Sequence, residues 1–223
     1  MNDVDYDVAL EIASHEAVIR QAYKDSVGVW TWSVGLTSAT GHDVKRYIDK
    51  PQTLEHCFAI YAWALNNYAE PVRAEFKGHE LTKEEFAGAL SFHWNTGAIR
   101  SASWPDLWKA GKIEAARASF LSWRKPLEII PRREKEAALF FDGKWSNDGT
   151  VTEYTRVTSS HTPVWSSAKR IDAKAAMAAA FGALVAPVPD EVAPPKTNLP
   201  LEAALALLKR HRDELSAFIA THG

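Results

Sequence analysis

Five prolines, Pro187, Pro189, Pro194, Pro195 and Pro200, fall within residues 187–200 of a 223-residue chain. Each locks its own φ and removes a backbone donor, so neither a helix nor a central strand can run through the segment, and an extended linker is expected there. The chain is thereby divided. After the linker, Leu201, Leu205, Leu208, Leu215, Phe218 and Ile219 recur at helical spacing with charged residues between them, which predicts one amphipathic helix over 201–223. Its mixed charges leave its use open: docking on the body of the protein, self-association, or contact with a membrane surface.

Everything before the linker must stand on a core alone. Cys57 is the single cysteine, which excludes an intrachain disulfide and a cysteine-based zinc site. Hydrophobic residues make up 46% and aromatic residues 11%, enough to build that core. A balance of 26 Lys and Arg against 28 Asp and Glu gives no overall basic field, so nucleic acid is not an expected partner. Asp3, Asp5 and Asp7 stand where an export signal carries basic residues, so synthesis into the cytoplasm without export is expected. The most apolar stretch, 173–186, contains Lys174 and falls short of the ~20 residues that cross a bilayer.

Periodicity then gives the elements. Val4, Val8 and Ile12 mark a first helix ending near residue 20. Trp30, Trp32, Val34 and Leu36 alternate with Val29, Thr31 and Ser33, predicting a small β-hairpin or three-stranded patch over about 23–50. Thr53 is an N-cap candidate for a long helix that Pro71 ends or kinks, and further helices are expected around 82–95, 103–110, 112–124 and 131–142. Residues 143–170 read either as coil or as carrying a short strand near Tyr154 to Val157, and an Ala-rich helix follows over 171–186. The expected architecture is α+β and mostly helical: a small β lobe and a helical lobe joined by the long helix, with a cleft between them. In domain terms this is 1–170 with a core over 8–145, the 171–186 helix, the 187–200 linker and the 201–223 helix.

Three residues of that plan converge. Glu16 sits near the end of the first helix, Asp25 in the turn that follows, and Thr31 in the strand after it. Glycosidic-bond hydrolysis needs a proton donor for the leaving oxygen and a second carboxylate that activates water or attacks the sugar. The negative end of a helix and a cleft wall both disfavour an ionised side chain at Glu16, which suits a general acid, whereas Asp25 lies in a wetter turn. With 28 acidic residues in the chain, however, spacing alone leaves a solvated helix-face Glu16 and a turn-forming Asp25 as the ordinary reading.

The surrounding motifs shift that balance. Glu16, the run Tyr23-Lys24-Asp25-Ser26-Val27-Gly28, and Thr31 with Gly35 follow the order Glu, Tyr-x-Asp-x-x-Gly, Thr-x-Gly-x-Gly-His. Ser91-Phe92-His93-Trp94-Asn95-Thr96-Gly97 follows Ser-x-x-Phe-Asn-x-Gly with Trp94 in place of the phenylalanine, and Arg132-Arg133-Glu134-Lys135-Glu136-Ala137-Ala138-Leu139 follows Arg-Arg-x-x-Glu-x-x-Leu. In these features, over about 8–145, the sequence resembles the phage-type lysozymes, the endolysin group of glycoside hydrolase family 24.

The resemblance implies a lysozyme-like two-lobe fold and a muramidase that cleaves, with inversion, the β-1,4 bond between N-acetylmuramic acid and N-acetylglucosamine in bacterial peptidoglycan. It implies Glu16 as general acid, and Asp25 and Thr31 as the groups that position water. It also implies Thr37, Trp94, Asn95 and Ser103 as the sugar groove, and Arg132 or Arg133 as the support of the acid. Trp94 equally suits core packing, and either arginine equally suits a surface pair. No cofactor is implied, and His15 and His93 lack a third metal ligand. Such an enzyme would wait in the host cytoplasm for a holin-like pore. A lytic transglycosylase, which can dispense with a second carboxylate, and an inactive wall-binding module on the same fold are the alternatives. Three further positions depart from the pattern: Ala17 replaces glycine after the glutamate, Ser33 replaces the first glycine after the threonine, and Leu36 replaces the histidine.

Overall fold

In the computed structural model, residues 3–184 are described; the segments expected to form the 187–200 linker and the 201–223 helix lie outside them. Helix α1 (Tyr6–Ser14) begins where the Asp5 carboxylate accepts the Val8 N–H at 3.0 Å, and it buries Val8, Ala9, Leu10 and Ile12. It is shorter than its apolar spacing suggests. Residues 17–20, expected to be helical, instead open strand β1 (Ala17–Lys24). β-Branched Val18 and Ile19 are both buried there, and a pleated strand holds such side chains with less crowding than a helix.

β1 pairs antiparallel with β2 (Trp30–Ser33), which pairs with β3 (Leu36–Thr37). That much is the expected patch. Its other edge takes β4 (Thr150–Tyr154) in parallel, Ala17 opposite Thr152 and Val18 opposite Glu153, and β5 (Ala168–Asp172) closes the order β3-β2-β1-β4-β5. The 143–170 region thus carries a strand at Thr150–Tyr154, ahead of the expected Tyr154 to Val157, and joins the sheet. β5 runs through residue 170, where the sequence places a boundary.

Thr53 caps the long helix α2 (Leu54–Glu75), its hydroxyl accepting the His56 N–H at 3.2 Å. Pro71 lies inside this helix and does not end it. Ala69, Val72 and Phe76 are all buried around that turn, so packing holds the backbone where the proline withholds one donor. The helical lobe follows as α3 (Lys83–Thr96), α4 (Trp104–Lys109), α5 (Ile113–Leu121) and α6 (Ile130–Asp142). Its centre is aromatic: Trp104 is fully buried with Phe76, Phe92, Phe120 and Phe140 at 4.8–5.8 Å between ring centroids. Helices α3 and α6 approach so closely that a Cβ added at Gly88 would stand 2.8 Å from that of Phe140. Helix α7 (Lys174–Leu184) lies along α2 and α1, burying Ala176, Met177 and Ala180. Residues 150–184 therefore widen the sheet and cover the long helix.

Candidate active site

Just past the end of α1, the Glu16 N–H bonds to the Ala13 carbonyl at 3.1 Å, turning the chain so that the carboxylate enters a pocket of about 280 Å³. Gly35, Thr37, Thr40, Tyr68, Trp94 and Asn95 complete its lining. The Glu16 side chain is 24% exposed, so it is open to a ligand yet walled on most sides.

Helix α6 supports the pocket from behind. Arg132, nearly buried, donates from its guanidinium to Glu16, and its Nε donates to Glu136 Oε1 at 2.8 Å. Burial opposes the charge on Arg132, but Glu16 and Glu136 outweigh it and raise its pKa, so the cation is secure. Ser91 on α3 donates to the same Glu136 oxygen at 2.6 Å, and Arg133 pairs with the other oxygen. Arg133 also donates to Asn95 Oδ1 at 2.6 Å and to the Trp123 carbonyl at 2.9 Å. One fully buried carboxylate, Glu136, thus holds two arginines, and each arginine fixes a pocket residue: Arg132 fixes Glu16 and Arg133 fixes Asn95.

Asp25 occupies the turn between β1 and β2. Its Oδ1 accepts the N–H groups of Val27 at 3.0 Å and Val29 at 2.8 Å, and Gly28 at φ +82° supplies the left-handed residue that closes the turn. Thr31 is buried and donates to the Val29 carbonyl at 3.1 Å. Tyr23 links these groups. It lies opposite Thr31 in the β1–β2 register, and burial, with the charges of Glu16 and Asp25 behind it, raises its phenol pKa. Thr31 thus faces Tyr23 across the β1–β2 pair and the charges of Glu16 and Asp25 both act on its phenol, while neither Asp25 nor Thr31 is among the residues lining the Glu16 pocket.

Trp94 turns out half-buried. It packs against Tyr68 at 4.8 Å and Tyr61 at 5.4 Å and also lines the pocket. Thr37 lines the pocket as well, its hydroxyl accepting the Ala39 N–H at 3.3 Å. Ser103 is not brought there: at the start of α4 it is exposed and shares a 2.9 Å hydrogen bond with Ser119. Of the two arginines proposed to support the acid, only Arg132 reaches Glu16.

Two of the departures from the sequence pattern have local explanations. Ser33 sits at φ +55°, a left-handed conformation that suits glycine, and its hydroxyl donates to the buried Cys57 carbonyl at 2.9 Å. Leu36 is fully buried opposite Trp32, an apolar contact at the position where the pattern has histidine.

Sequence reading missed three contributors. Glu136 was only one letter of a motif, although Arg132 and Arg133 stand four and three residues before it, the spacing at which helical side chains meet. Tyr68 looked like one more apolar helix position. Glu11, which carries no motif, is fully buried on α1 and accepts hydrogen bonds from Ser146 and Asn147 at 2.6–3.3 Å, with His15 at 3.3 Å. Burial would raise its pKa, but these donors prevail and lower it to about 2. Glu11 thereby ties the segment leading into β4 to the helix that presents Glu16.

Residues 13–136, more than half of the 223, match the phage lysozyme family. The chain belongs to that family. The matched span takes in Glu16, Asp25, Thr31, Asn95 and the whole arginine cluster; β4, β5 and α7 lie beyond it. An endolysin of Bacillus phage B103 is 28% identical over 92 residues, 38% of this chain and 35% of that relative, so the chain spans about a third of its length. Among solved structures, an endolysin from Escherichia coli O157:H7 phage FAHEc1 superposes with a TM-score of 0.59 at 20% identity, covering 65% of this chain and 97% of that one. The muramidase domain of SpmX from Asticaccaulis excentricus does so with a TM-score of 0.53 at 22% identity, covering 63% and 98%. The α+β, lysozyme-like fold expected from the motifs is the fold these structures share.

Proposed function

We propose that this phage lysozyme family member is a muramidase that hydrolyses the β-1,4 bond between N-acetylmuramic acid and N-acetylglucosamine in peptidoglycan, with inversion at the anomeric carbon. The observation that carries the reading is the Glu16 carboxylate, oriented by Arg132 and facing a pocket that also offers Trp94 and Asn95. Glu16 protonates the leaving glycosidic oxygen. Asp25 takes a proton from a water that attacks the opposite face of the sugar, while the Thr31 hydroxyl accepts a hydrogen bond from the same water. The bond from oxygen to the anomeric carbon breaks as the bond from water forms, and the charge building on the sugar is met by the Asp25 carboxylate.

Supporting groups hold this arrangement in register. Two backbone N–H groups fix Asp25 Oδ1, and the Arg132–Glu136 pair keeps Glu16 from swinging into solvent. Such positioning matters because a reacting group displaced by about 1 Å can cost on the order of 100-fold in rate. Trp94 offers an apolar ring to the sugar face and Asn95 an amide to an N-acetyl group. Among the described residues no helix is long and apolar enough to cross a membrane. On the endolysin reading, the protein would reach the wall from the host cytoplasm through a separate, holin-like pore.

The test is digestion of purified peptidoglycan with the wild type, Glu16→Gln and Asp25→Asn, followed by mass spectrometry of the fragment ends. Reducing ends from the wild type that vanish in both variants are expected. Anhydro ends would replace this reading with a lytic transglycosylase, and intact glycan after wild-type treatment would replace it with a binding module.

A further inference from the structure

Asp25 stands at the far end of the β1–β2 ribbon, away from the rest of the sheet. β4 pairs with β1 only at Ala17 and Val18, whereas Lys24, the residue before Asp25, lies further along the strand. Two strands alone are marginally stable, and any fraying there would carry Asp25 with it. The chain closes this edge with a segment beyond the residues matched to the family. After β4, Val157 and Pro163 face each other in an antiparallel bridge, and the Val164 N–H donates to the Arg156 carbonyl at 3.0 Å. The tip of this hairpin, 158–162, is tied by its own bonds. The Thr158 N–H donates to the Thr162 carbonyl and the His161 N–H to the Thr158 carbonyl, both at 2.9 Å, and the Thr158 hydroxyl accepts the Thr162 N–H at 3.1 Å.

His161 sits in this tip at φ +65°, a left-handed conformation that a residue with a side chain keeps only where its surroundings hold it. From there it makes three contacts with the β lobe. Its carbonyl accepts the Lys24 N–H at 2.6 Å, its ring stands edge-on to Trp30 at 5.1 Å between centroids, and its Nε2 lies 3.2 Å from the carboxylate of Asp49, in the loop ahead of α2. Lys24 and Trp30 are themselves opposite one another in the β1–β2 register, next to the Tyr23 and Thr31 pair, and the Lys24 ammonium lies 5.4 Å from the Trp30 ring centroid. One residue thus grips both strands, at the positions adjoining Asp25 and Thr31. Covering an open strand edge requires only backbone bonds. Side-chain contacts to Trp30 and Asp49, made from a left-handed residue, go further than that.

We propose that the 155–165 hairpin is a brace for the turn that carries Asp25, and that His161 is the positioning residue through which it acts. The proposal rests on the muramidase reading above, in which Asp25 and Thr31 hold the attacking water. With Lys24 and Trp30 clamped, the Val27 and Val29 N–H groups stay aimed at Asp25 Oδ1, and the carboxylate keeps its place relative to the sugar. The part of the chain that lies outside the family match would then tune the reaction without touching substrate.

The experiment replaces residues 158–162 by an Asn-Gly pair, which closes the bridge between Val157 and Pro163 as a two-residue hairpin turn, and separately makes His161→Gly and His161→Gln. Glycine removes the ring without strain at a positive φ, and glutamine retains a donor for Asp49. Amide hydrogen exchange at Lys24 and Val29 is read by magnetic resonance, with kcat and KM measured on soluble glycan. In the tip replacement, exchange at both amides should quicken about tenfold while the amides of α3 are unchanged, and kcat should fall about tenfold with KM within about twofold. His161→Gly should show the same pattern to a smaller degree, and His161→Gln should recover part of the loss. Faster exchange at Lys24 alone, with kcat kept, overturns the proposal and leaves the hairpin as a cover for the sheet edge. A raised KM with kcat kept also overturns it, because the hairpin would then be contacting sugar. A wild type that releases no reducing ends overturns the muramidase reading instead, and exchange at Val29 still decides whether the brace exists.

Discussion

Arg132 on α6 donates to Glu16 at the end of α1, a residue 116 positions earlier in the sequence, and the same guanidinium is anchored on its other side by Glu136. The proton donor proposed for catalysis is thus positioned by the helical lobe, although the β lobe follows it directly in the chain. Replacing Arg132 by lysine keeps the charge but not the fork that spans two carboxylates. Arg132→Lys should lower kcat on peptidoglycan by roughly 10- to 100-fold while KM changes little, because positioning is lost and sugar contacts are not. Steady-state rates on soluble glycan check this.

Among the described residues, Glu136 is the only counter-charge that Arg132 and Arg133 share. Removing one partner of a buried ion group leaves the others uncompensated at a cost of about 3–5 kcal/mol. Glu136→Gln should therefore lower stability by that order in guanidinium titration. It should also reduce activity, since both Glu16 and Asn95 lose their support.

Glu11 makes stability depend on acid. Its pKa is lowered to about 2 in the folded protein by Ser146, Asn147 and His15 acting against burial, so folding favours the ionised form. The stabilisation it contributes is complete above the ordinary glutamate range near pH 4.5 and is lost as pH falls towards 2. A displacement of that size corresponds to roughly 3 kcal/mol. Glu11→Gln should be less stable than the wild type at pH 7, and the gap should narrow steadily below pH 4. Thermal melts of both proteins between pH 2 and 7 test the sign; a gap that widens in acid would contradict it.

Close packing of α3 on α6 gives a prediction with no chemistry in it. A methyl group at Gly88 meets the Phe140 backbone and Cβ at 2.8–3.0 Å, and backbone cannot rotate away. Gly88→Ala should cost about 1–3 kcal/mol despite the better helix propensity of alanine. Its measure is the midpoint of urea unfolding.

What was legible beforehand followed from local chemistry. The Thr53 cap, the alternation at Trp30 to Leu36 and the helical patterns of α3 to α6 are each carried by neighbours in sequence, and the structure keeps them. Partnerships between distant segments were not legible. Val18 and Ile19 fit a helical stripe as well as a strand until β2 and β4 flank them, and nothing near residue 150 announces a parallel pairing with Ala17. For the same reason Glu16, Asp25 and Thr31 were found by their order along the chain, whereas Glu136 and Glu11 were not. Their importance lies in burial, and a buried acid looks the same in sequence as a solvated one until its donors are in place.

In the proposed reaction Glu16 protonates the leaving oxygen while Asp25 delivers water to the anomeric carbon. Digestion of uniform glycan in heavy-oxygen water, followed by mass spectrometry and by proton magnetic resonance in the first minutes, tests this most directly. One labelled oxygen on every new reducing end, appearing first in the α anomer, is the predicted result. Ends without label, or label appearing first in the β anomer, would contradict it.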